Sequence, residues 1–225
     1  MAAKLTLDDI TDLRAYERER PAFLRHVVAL KAKRRVTVGP FVTFVFENRD
    51  TVRFQIQEMA RVEKLISDDA IQTELDIYNT LIPEPGVLSA TMFIELTTDA
   101  GLREWLPRLV GIERAGVLEL AGGARVRSEP EAQHAAQLTD AATTSSVHYL
   151  RFALTPAQVA DLARGPVALA VDHPAYHERA ELGAGTVSEL VSDLRAGVAS
   201  TAGGGFDPAD GAPSVWEKPD KRSGQ

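Results

Sequence analysis

The chain has 225 residues, enough for roughly one and a half average domains, which fits one compact domain with a tail. Hydrophobic residues make up 44% and charged residues 25% of the sequence, values that exclude a wholly disordered, fibrous or membrane protein. Because there is no cysteine, disulfides, Cys-ligated zinc and Cys-ligated iron–sulfur clusters are excluded. The N-terminus lacks the apolar core of a signal peptide and no apolar run is long enough to cross a bilayer, so we expect a cytoplasmic protein without a membrane partner.

The net charge of −7 is unevenly distributed along the chain. Residues 1–35 contain nine basic and five acidic side chains, a net charge of +4, so the remainder carries −11. The densest basic run is Lys31, Lys33, Arg34 and Arg35, which suits either a phosphate group or the negative end of a helix dipole. An acidic chain without a stripe of basic and aromatic residues is not expected to bind nucleic acid.

The first 46 residues predict helices followed by a β-hairpin. Thr6 and Asp9 have the spacing of a capping box and predict a short helix. Pro21 predicts the start of a second helix, which continues to about residue 33. Alternating β-branched and aromatic residues over 35–38 and 41–46, separated by a Gly-Pro turn, predict the two strands of the hairpin.

Strands and helices alternate in the rest of the domain. Asp50 is a candidate N-cap for a helix at about 51–66, and a further helix is expected to end near Leu81. Thr155 begins a capping box with proline at the first helical position, which predicts a helix to Gly165. Apolar and alternating patterns predict the other elements: strands at 87–96, 117–120, 124–127, 145–154 and 167–171, and a short helix at 102–109.

This order predicts an α+β fold: a largely antiparallel sheet with an N-terminal helical segment, a β-hairpin and packed helices. We expect a single domain over residues 1–178, followed by an amphipathic helical extension over 179–199. Residues 200–225 contain five glycines and three prolines, a composition that predicts a disordered C-terminal tail.

Several sequence blocks, matching in order over about residues 4–176, resemble the bacterial family DUF3501. The blocks are Val38-Gly39-Pro40, Phe46-Glu47-Asn48-Arg49-Asp50-Thr51-Val52, Gln55-Ile56-Gln57-Glu58-Met59, Glu74-Leu75-Asp76-Ile77-Tyr78-Asn79, Leu81-Ile82-Pro83, Ser145-Ser146-Val147-His148-Tyr149-Leu150-Arg151-Phe152 and Val171-Asp172-His173-Pro174-Ala175-Tyr176. No catalytic residue can be assigned from the resemblance, because none is established for the family. Family members tend to be encoded beside rubrerythrin-like proteins and iron–sulfur oxidoreductases, which implies a role in a redox or peroxide-stress module.

One candidate site is the strand-to-helix junction and the helix after it. Backbone amides at a helix N-terminus together with Arg49 can hold a carboxylate or phosphate. The other interpretation is that Asn48 and Asp50 only cap and turn the chain, with Arg49 paired to Glu47 or Glu58. The polar side chains of the helix either line a pocket or satisfy one another. The candidate ligand-binding residues are Asn48, Arg49, Asp50, Thr51, Gln55, Gln57, Glu58 and Arg61.

A second candidate site combines histidine with carboxylates. His148 lies on a predicted strand and His173 at the end of another, and imidazole with carboxylate ligands suits iron, manganese or zinc. A strand histidine is more commonly a hydrogen-bonded structural residue, and the spacing matches no established metal signature. The candidate metal ligands are His148, His173, Glu47, Glu58, Glu74 and Asp172.

Three functions remain open from the sequence. The leading hypothesis is an accessory component that binds a rubrerythrin-like or iron–sulfur partner in a redox module. The alternatives are a small metal-dependent enzyme with a His/carboxylate site and a sensor of small anions.

Overall fold

The computed structural model of the protein describes residues 4–133 and 142–196. Within these ranges the chain forms six α-helices and nine β-strands. The helices are α1 (Leu13–Arg34), α2 (Arg49–Glu63), α3 (Asp68–Tyr78), α4 (Asp99–Trp105), α5 (Pro156–Arg164) and α6 (Ala184–Ala196). The strands are β1 (Arg35–Val38), β2 (Val42–Phe46), β3 (Val87–Ile94), β4 (Gly116–Glu119), β5 (Arg125–Arg127), β6 (Glu129–Pro130), β7 (Val147–Ala153), β8 (Ala168–His173) and β9 (Tyr176–Glu181).

The strands form two antiparallel sheets. The first sheet has the order β1-β2-β3-β7-β6 and the second the order β5-β4-β8-β9. Side chains on one face of each sheet, such as Phe44 and Phe152 from the first and Leu118 and Leu169 from the second, share one hydrophobic core. Two antiparallel sheets with packed helices confirm the predicted α+β class.

The other face of the first sheet lies against a helical layer, which consists of residues 4–34 and 49–82. Val52 and Ile56 lie one turn apart on α2 and pack against Leu75 of α3. Tyr149 of β7 packs against this same cluster, which places α2 and α3 over the first sheet. Alternation along the strands therefore sends odd-numbered residues of β7 toward the helices and even-numbered ones toward the main core.

Helix α1 is one continuous helix of 22 residues, which corrects the prediction of a helix that starts at Pro21. The side chain of Asp12 caps its N-terminus by accepting hydrogen bonds from the amides of Arg14 and Ala15. Pro21 lies inside the helix, where it costs an intrahelical hydrogen bond. Tyr16 before Pro21 and Phe23 after it are buried in one cluster with Phe54 of α2. This tertiary packing offsets the cost, so the helix continues through the proline.

The last described helix packs into the main core. Strand β9 runs across residue 178, where the sequence placed a boundary, and Leu190 and Leu194 of α6 lie in the main core. The guanidinium of Arg34, which is 2% exposed, pairs with Asp193 at 2.6 Å and Glu189 at 3.0 Å. Leu182, Leu190 and Leu194 of the predicted extension over 179–199 thus lie in the main core, and the predicted tail at 200–225 lies outside the described residues.

Candidate functional site

The junction between β2 and α2 is closed by a capping box. The side chain of Asn48 accepts a hydrogen bond from the Thr51 amide at 3.0 Å, and Thr51 Oγ1 accepts one from the Asn48 amide at 2.9 Å. Asn48, not Asp50, is therefore the N-cap, and α2 begins at Arg49. This reciprocal pair occupies polar groups that the anion hypothesis assigned to a ligand.

Arg49 and Asp50 both bind residues that precede β1: Arg49 binds one in the segment before α1, and Asp50 binds one in α1. Arg49 Nη2 donates to Asp9 Oδ1 at 2.6 Å, instead of pairing with Glu47 or Glu58. His26 Nε2 lies 2.9 Å from Asp50 Oδ2. These contacts join the start of α2 to the segment before α1 and to α1 itself.

Three further candidates form an internal network between α2 and the N-terminal segment. The amide of Gln57, a fully buried side chain, bonds both backbone groups of Thr11 at 2.7 and 3.1 Å. Glu58 accepts hydrogen bonds from Arg20, Arg61 and the hydroxyl of Tyr16. Burial opposes ionisation of Glu58, but these donors outweigh it and lower its pKa to about 2.

A different polar set lies between the first sheet and α2. The Glu47 side chain is 8% exposed and is bound through hydroxyl groups. Thr51 Oγ1 donates to Glu47 Oε2 at 2.5 Å, and Thr91 Oγ1 donates to Glu47 Oε1 at 2.6 Å. Thr51 comes from the first turn of α2 and Thr91 from the middle of β3, so the carboxylate connects helix to sheet.

The residue opposite Glu47 on β3 is Ser89. The Glu47 amide donates to the Ser89 carbonyl at 2.8 Å, which continues the β2–β3 ladder by one residue. Residues directly opposite in an antiparallel pair present their side chains on one face, about 5 Å apart at Cβ. Ser89 is 3% exposed, and its Oγ has no hydrogen-bond partner among the described residues.

Two tyrosines border this polar set. Tyr149 is directly opposite Thr91 in the β3–β7 ladder. Burial, together with the electrostatic influence of Tyr78 and Glu47, raises the pKa of Tyr149. Burial and the negative charge of Glu74 also raise the pKa of Tyr78. A hydrogen bond from Gln55 lowers this pKa but does not outweigh them.

These residues form what we call the Glu47 cluster. The structure brings together four of the residues singled out in the sequence and four that were missed. The first four are Glu47, Thr51, Gln55 and Glu74, and the others are Ser89, Thr91, Tyr78 and Tyr149. Ser89 and Thr91 alternate with apolar residues in β3, so the sequence indicates that they share one face of the strand. Such alternation is typical of a strand with one face toward solvent, and it does not predict that this face is buried.

His148 lies on the opposite face of the first sheet from the Glu47 cluster. It faces Met92 in the ladder, whereas Tyr149, the next residue, faces Thr91. His148 Nε2 lies 2.9 Å from both Thr144 Oγ1 and the Ser145 carbonyl oxygen. Burial lowers the pKa of His148, although the charge of Glu113 partly opposes this.

His173 and Asp172 belong to the second sheet. His173 Nε2 lies 3.1 Å from the Val110 carbonyl, and the Ala175 amide donates to Nδ1 at 3.2 Å, so both ring nitrogens are engaged. Asp172 pairs with Arg127 at 2.9 Å. The predicted metal ligands therefore lie on different sheets and on different sides of the first sheet.

Among residues 4–133 and 142–196, no group of three or more His, Asp and Glu side chains is arranged to hold a metal ion. The sequence hypothesis of a shared His/carboxylate site thus corresponds to no cluster in this part of the chain. Strand alternation explains the separation, because adjacent residues of β7 face opposite sides of its sheet. No helix in these ranges has the length and apolar composition needed to span a membrane.

The large hydrophobic side chains that are exposed in the described residues lie in the helical layer. All five large hydrophobic side chains that are exposed belong to the helical layer, and their exposed fractions reach 60% for Val62 and 85% for Ile66. The five residues are Leu7, Val28, Val62, Ile66 and Ile77. Val62 and Ile66, at the turn between α2 and α3, are the two most exposed of the five.

Comparison with known proteins agrees with the resemblance found in the sequence. The model of DUF3501, described as a protein of unknown function, matches residues 4–194. A solved structure of a protein of unknown function from Burkholderia pseudomallei is 35% identical with a TM-score of 0.79, covering 85% of this chain and 100% of that chain. No curated protein matches the chain. The chain belongs to the DUF3501 family.

Proposed function

We propose that the protein is an accessory component of a redox module and binds a rubrerythrin-like or iron–sulfur protein. The class of partner follows from the family resemblance. The observation that supports protein binding is that the exposed large hydrophobic side chains of the described residues all lie in the helical layer. We place the contact at the turn between α2 and α3, where Val62 and Ile66 are the two most exposed of these side chains.

The local structure at this turn explains why Ile66 projects from the surface. Helix α2 ends at Glu63, and the next residue, Lys64, has a left-handed conformation with φ of 54°. The Leu65 amide then bonds the Ala60 carbonyl at 2.9 Å, and the Leu65 side chain packs against the helical core. Ile66 follows this closed turn, and 85% of its surface is exposed to solvent. Burial of an isoleucine or valine side chain in an interface stabilises a complex by about 1.5–3 kcal/mol.

The test mixes the purified protein with a purified rubrerythrin-like protein, and separately with an iron–sulfur oxidoreductase, from the same organism. Sedimentation velocity detects a complex, and titration calorimetry gives its dissociation constant. The double variant Val62→Ser with Ile66→Ser is expected to weaken binding at least about a hundredfold, because two side chains lose roughly 3 kcal/mol or more together.

Glu181→Ser on the second sheet is the matched surface control, because its side chain is 73% exposed and lies outside the helical layer. This control is expected to bind as the unmodified protein does. The proposal fails if neither partner class binds. The placement of the contact fails if the double variant and the control bind with equal affinity.

A further inference from the structure

We propose that the Glu47 cluster binds a small organic ammonium ion, with the Glu47 carboxylate as its charge partner and Ser89 Oγ as a further acceptor. This site is independent of protein binding through Val62 and Ile66. It rests on the arrangement of charge, hydrogen-bonding capacity and aromatic rings in the cluster.

The first argument is the charge of Glu47. Buried carboxylates are normally paired with a cation, because removing a charge from water costs several kcal/mol. Among the described residues, Glu47 receives hydrogen bonds from two neutral hydroxyls and forms no ion pair within 4.0 Å. The backbone of Arg151, which faces Ser89 from β7, lies two strands or about 10 Å from that of Glu47. Its guanidinium pairs with Glu84 at 3.3 Å.

The second argument is unused hydrogen-bonding capacity at the same place. A carboxylate offers about four acceptor positions, and the two threonines occupy two of them. The Ser89 hydroxyl is buried on the same sheet face, directly opposite Glu47, and it has no partner in the described residues. An ammonium group has three N–H donors, so it can bind the Glu47 carboxylate and Ser89 Oγ together.

The third argument concerns the surroundings of the carboxylate. Tyr149 and Tyr78 belong to the cluster, and aromatic rings attract organic cations. Both tyrosines and Gln55 are half-buried, so the cluster reaches the protein surface on their side. A divalent metal ion fits less well, because it favours six or more oxygen ligands, usually with several carboxylates, and the described residues contain no such group.

The probe is n-butylammonium chloride, titrated into the protein by calorimetry at constant ionic strength. We expect saturable binding with a dissociation constant on the order of 1 mM, as suits a ligand of few atoms. Neutral n-butanol has a similar shape without the charge and is expected to give no saturable binding. Magnesium chloride tests an inorganic cation at the same charge partner and is expected to give none either.

Glu47→Gln keeps the shape of the side chain and removes its charge, so the affinity for n-butylammonium is expected to fall about 10- to 100-fold. Ser89→Ala removes only the hydroxyl and is expected to weaken binding by up to about tenfold. The matched control is Glu95→Gln, which makes the same charge change at an exposed residue that binds Arg35 and Thr43. It is expected to bind normally.

Three results would overturn the proposal. They are the absence of saturable n-butylammonium binding, equal binding of n-butanol, and an unchanged affinity in both cluster variants. If near-ultraviolet circular dichroism shows that Glu47→Gln does not fold, Ser89→Ala decides alone, and unchanged affinity in that variant then refutes the site. If n-butylammonium does not bind, the hydrogen-bonding partner of Ser89 Oγ is an ordered water molecule only.

Discussion

Replacement of Glu58 by glutamine tests whether the network between α1 and α2 stabilises the fold through charge. Glu58 accepts two hydrogen bonds from Arg20 at 2.7 and 3.0 Å, two from Arg61 at 3.2 and 3.1 Å, and one from Tyr16 at 2.9 Å. Its pKa of about 2, against an ordinary 4.5, sets an upper limit of about 3 kcal/mol on the stabilisation. Solvent screening at a side chain that is 21% exposed reduces this to about 1–2 kcal/mol.

The sign of the pH dependence follows from the lowered pKa of Glu58. Stabilisation by the ionised carboxylate is fully present above the unfolded value of about 4.5 and is lost as the pH falls through about 2. Urea denaturation at pH 7 should therefore show Glu58→Gln less stable by about 1–2 kcal/mol, and this difference should shrink between pH 5 and pH 2. Glu104→Gln, at a 61% exposed residue paired with Arg108, is the control and should change stability by less than about 0.5 kcal/mol. A Glu58→Gln difference that stays constant from pH 7 to pH 2 would refute the reasoning.

Three further substitutions test other parts of the structure. Ser89→Ala should raise the free energy of unfolding of the ligand-free protein by about 1 kcal/mol, because it removes a buried hydroxyl without a partner; thermal denaturation measures this. Asp193→Ala should lower the free energy of unfolding by about 2–3 kcal/mol in urea, since the buried Arg34 retains only Glu189 as an ion-pair partner on α6. Gly39→Ala should lower it by about 1–2 kcal/mol, because φ is +71° and the added Cβ would overlap side chains of β9; a lower Tm by calorimetry checks this.

The strongest local signals in the sequence predicted their elements well. The two strands of the hairpin form with Gly39 at positive φ, as the Val-rich alternation and the Gly-Pro turn indicated. The capping box at Thr155 also forms, with Gln158 bonding back to the Thr155 amide at 2.9 Å. These features depend on residues within a few positions of one another, so the chain alone determines them.

Elements that depend on contacts between distant residues could not be predicted from the sequence. Strand β9 has a single buried residue, Tyr176, because it is an edge strand that projects charged side chains to solvent, and no apolar alternation reveals it. The continuous α1 required the tertiary contacts of Phe23 to outweigh Pro21. The Glu47 cluster depends on the register of β2 with β3, and a shift by one residue would place Ser89 on the other face of the sheet.

Two carboxylates at neighbouring places in the fold illustrate how a structural role differs from a ligand-binding one. Glu58 lies on α2 and receives five hydrogen bonds, four of them from guanidinium groups. Glu47 directly precedes the same helix and receives two, both from hydroxyls. The guanidinium groups neutralise the charge of Glu58 and occupy its acceptor positions, so its effect is expected in stability. The charge of Glu47 has no such partner within the described residues, and its effect is expected in binding. Matched Glu→Gln changes at the two positions should therefore differ in binding: only the change at Glu47 is expected to lower the affinity for n-butylammonium.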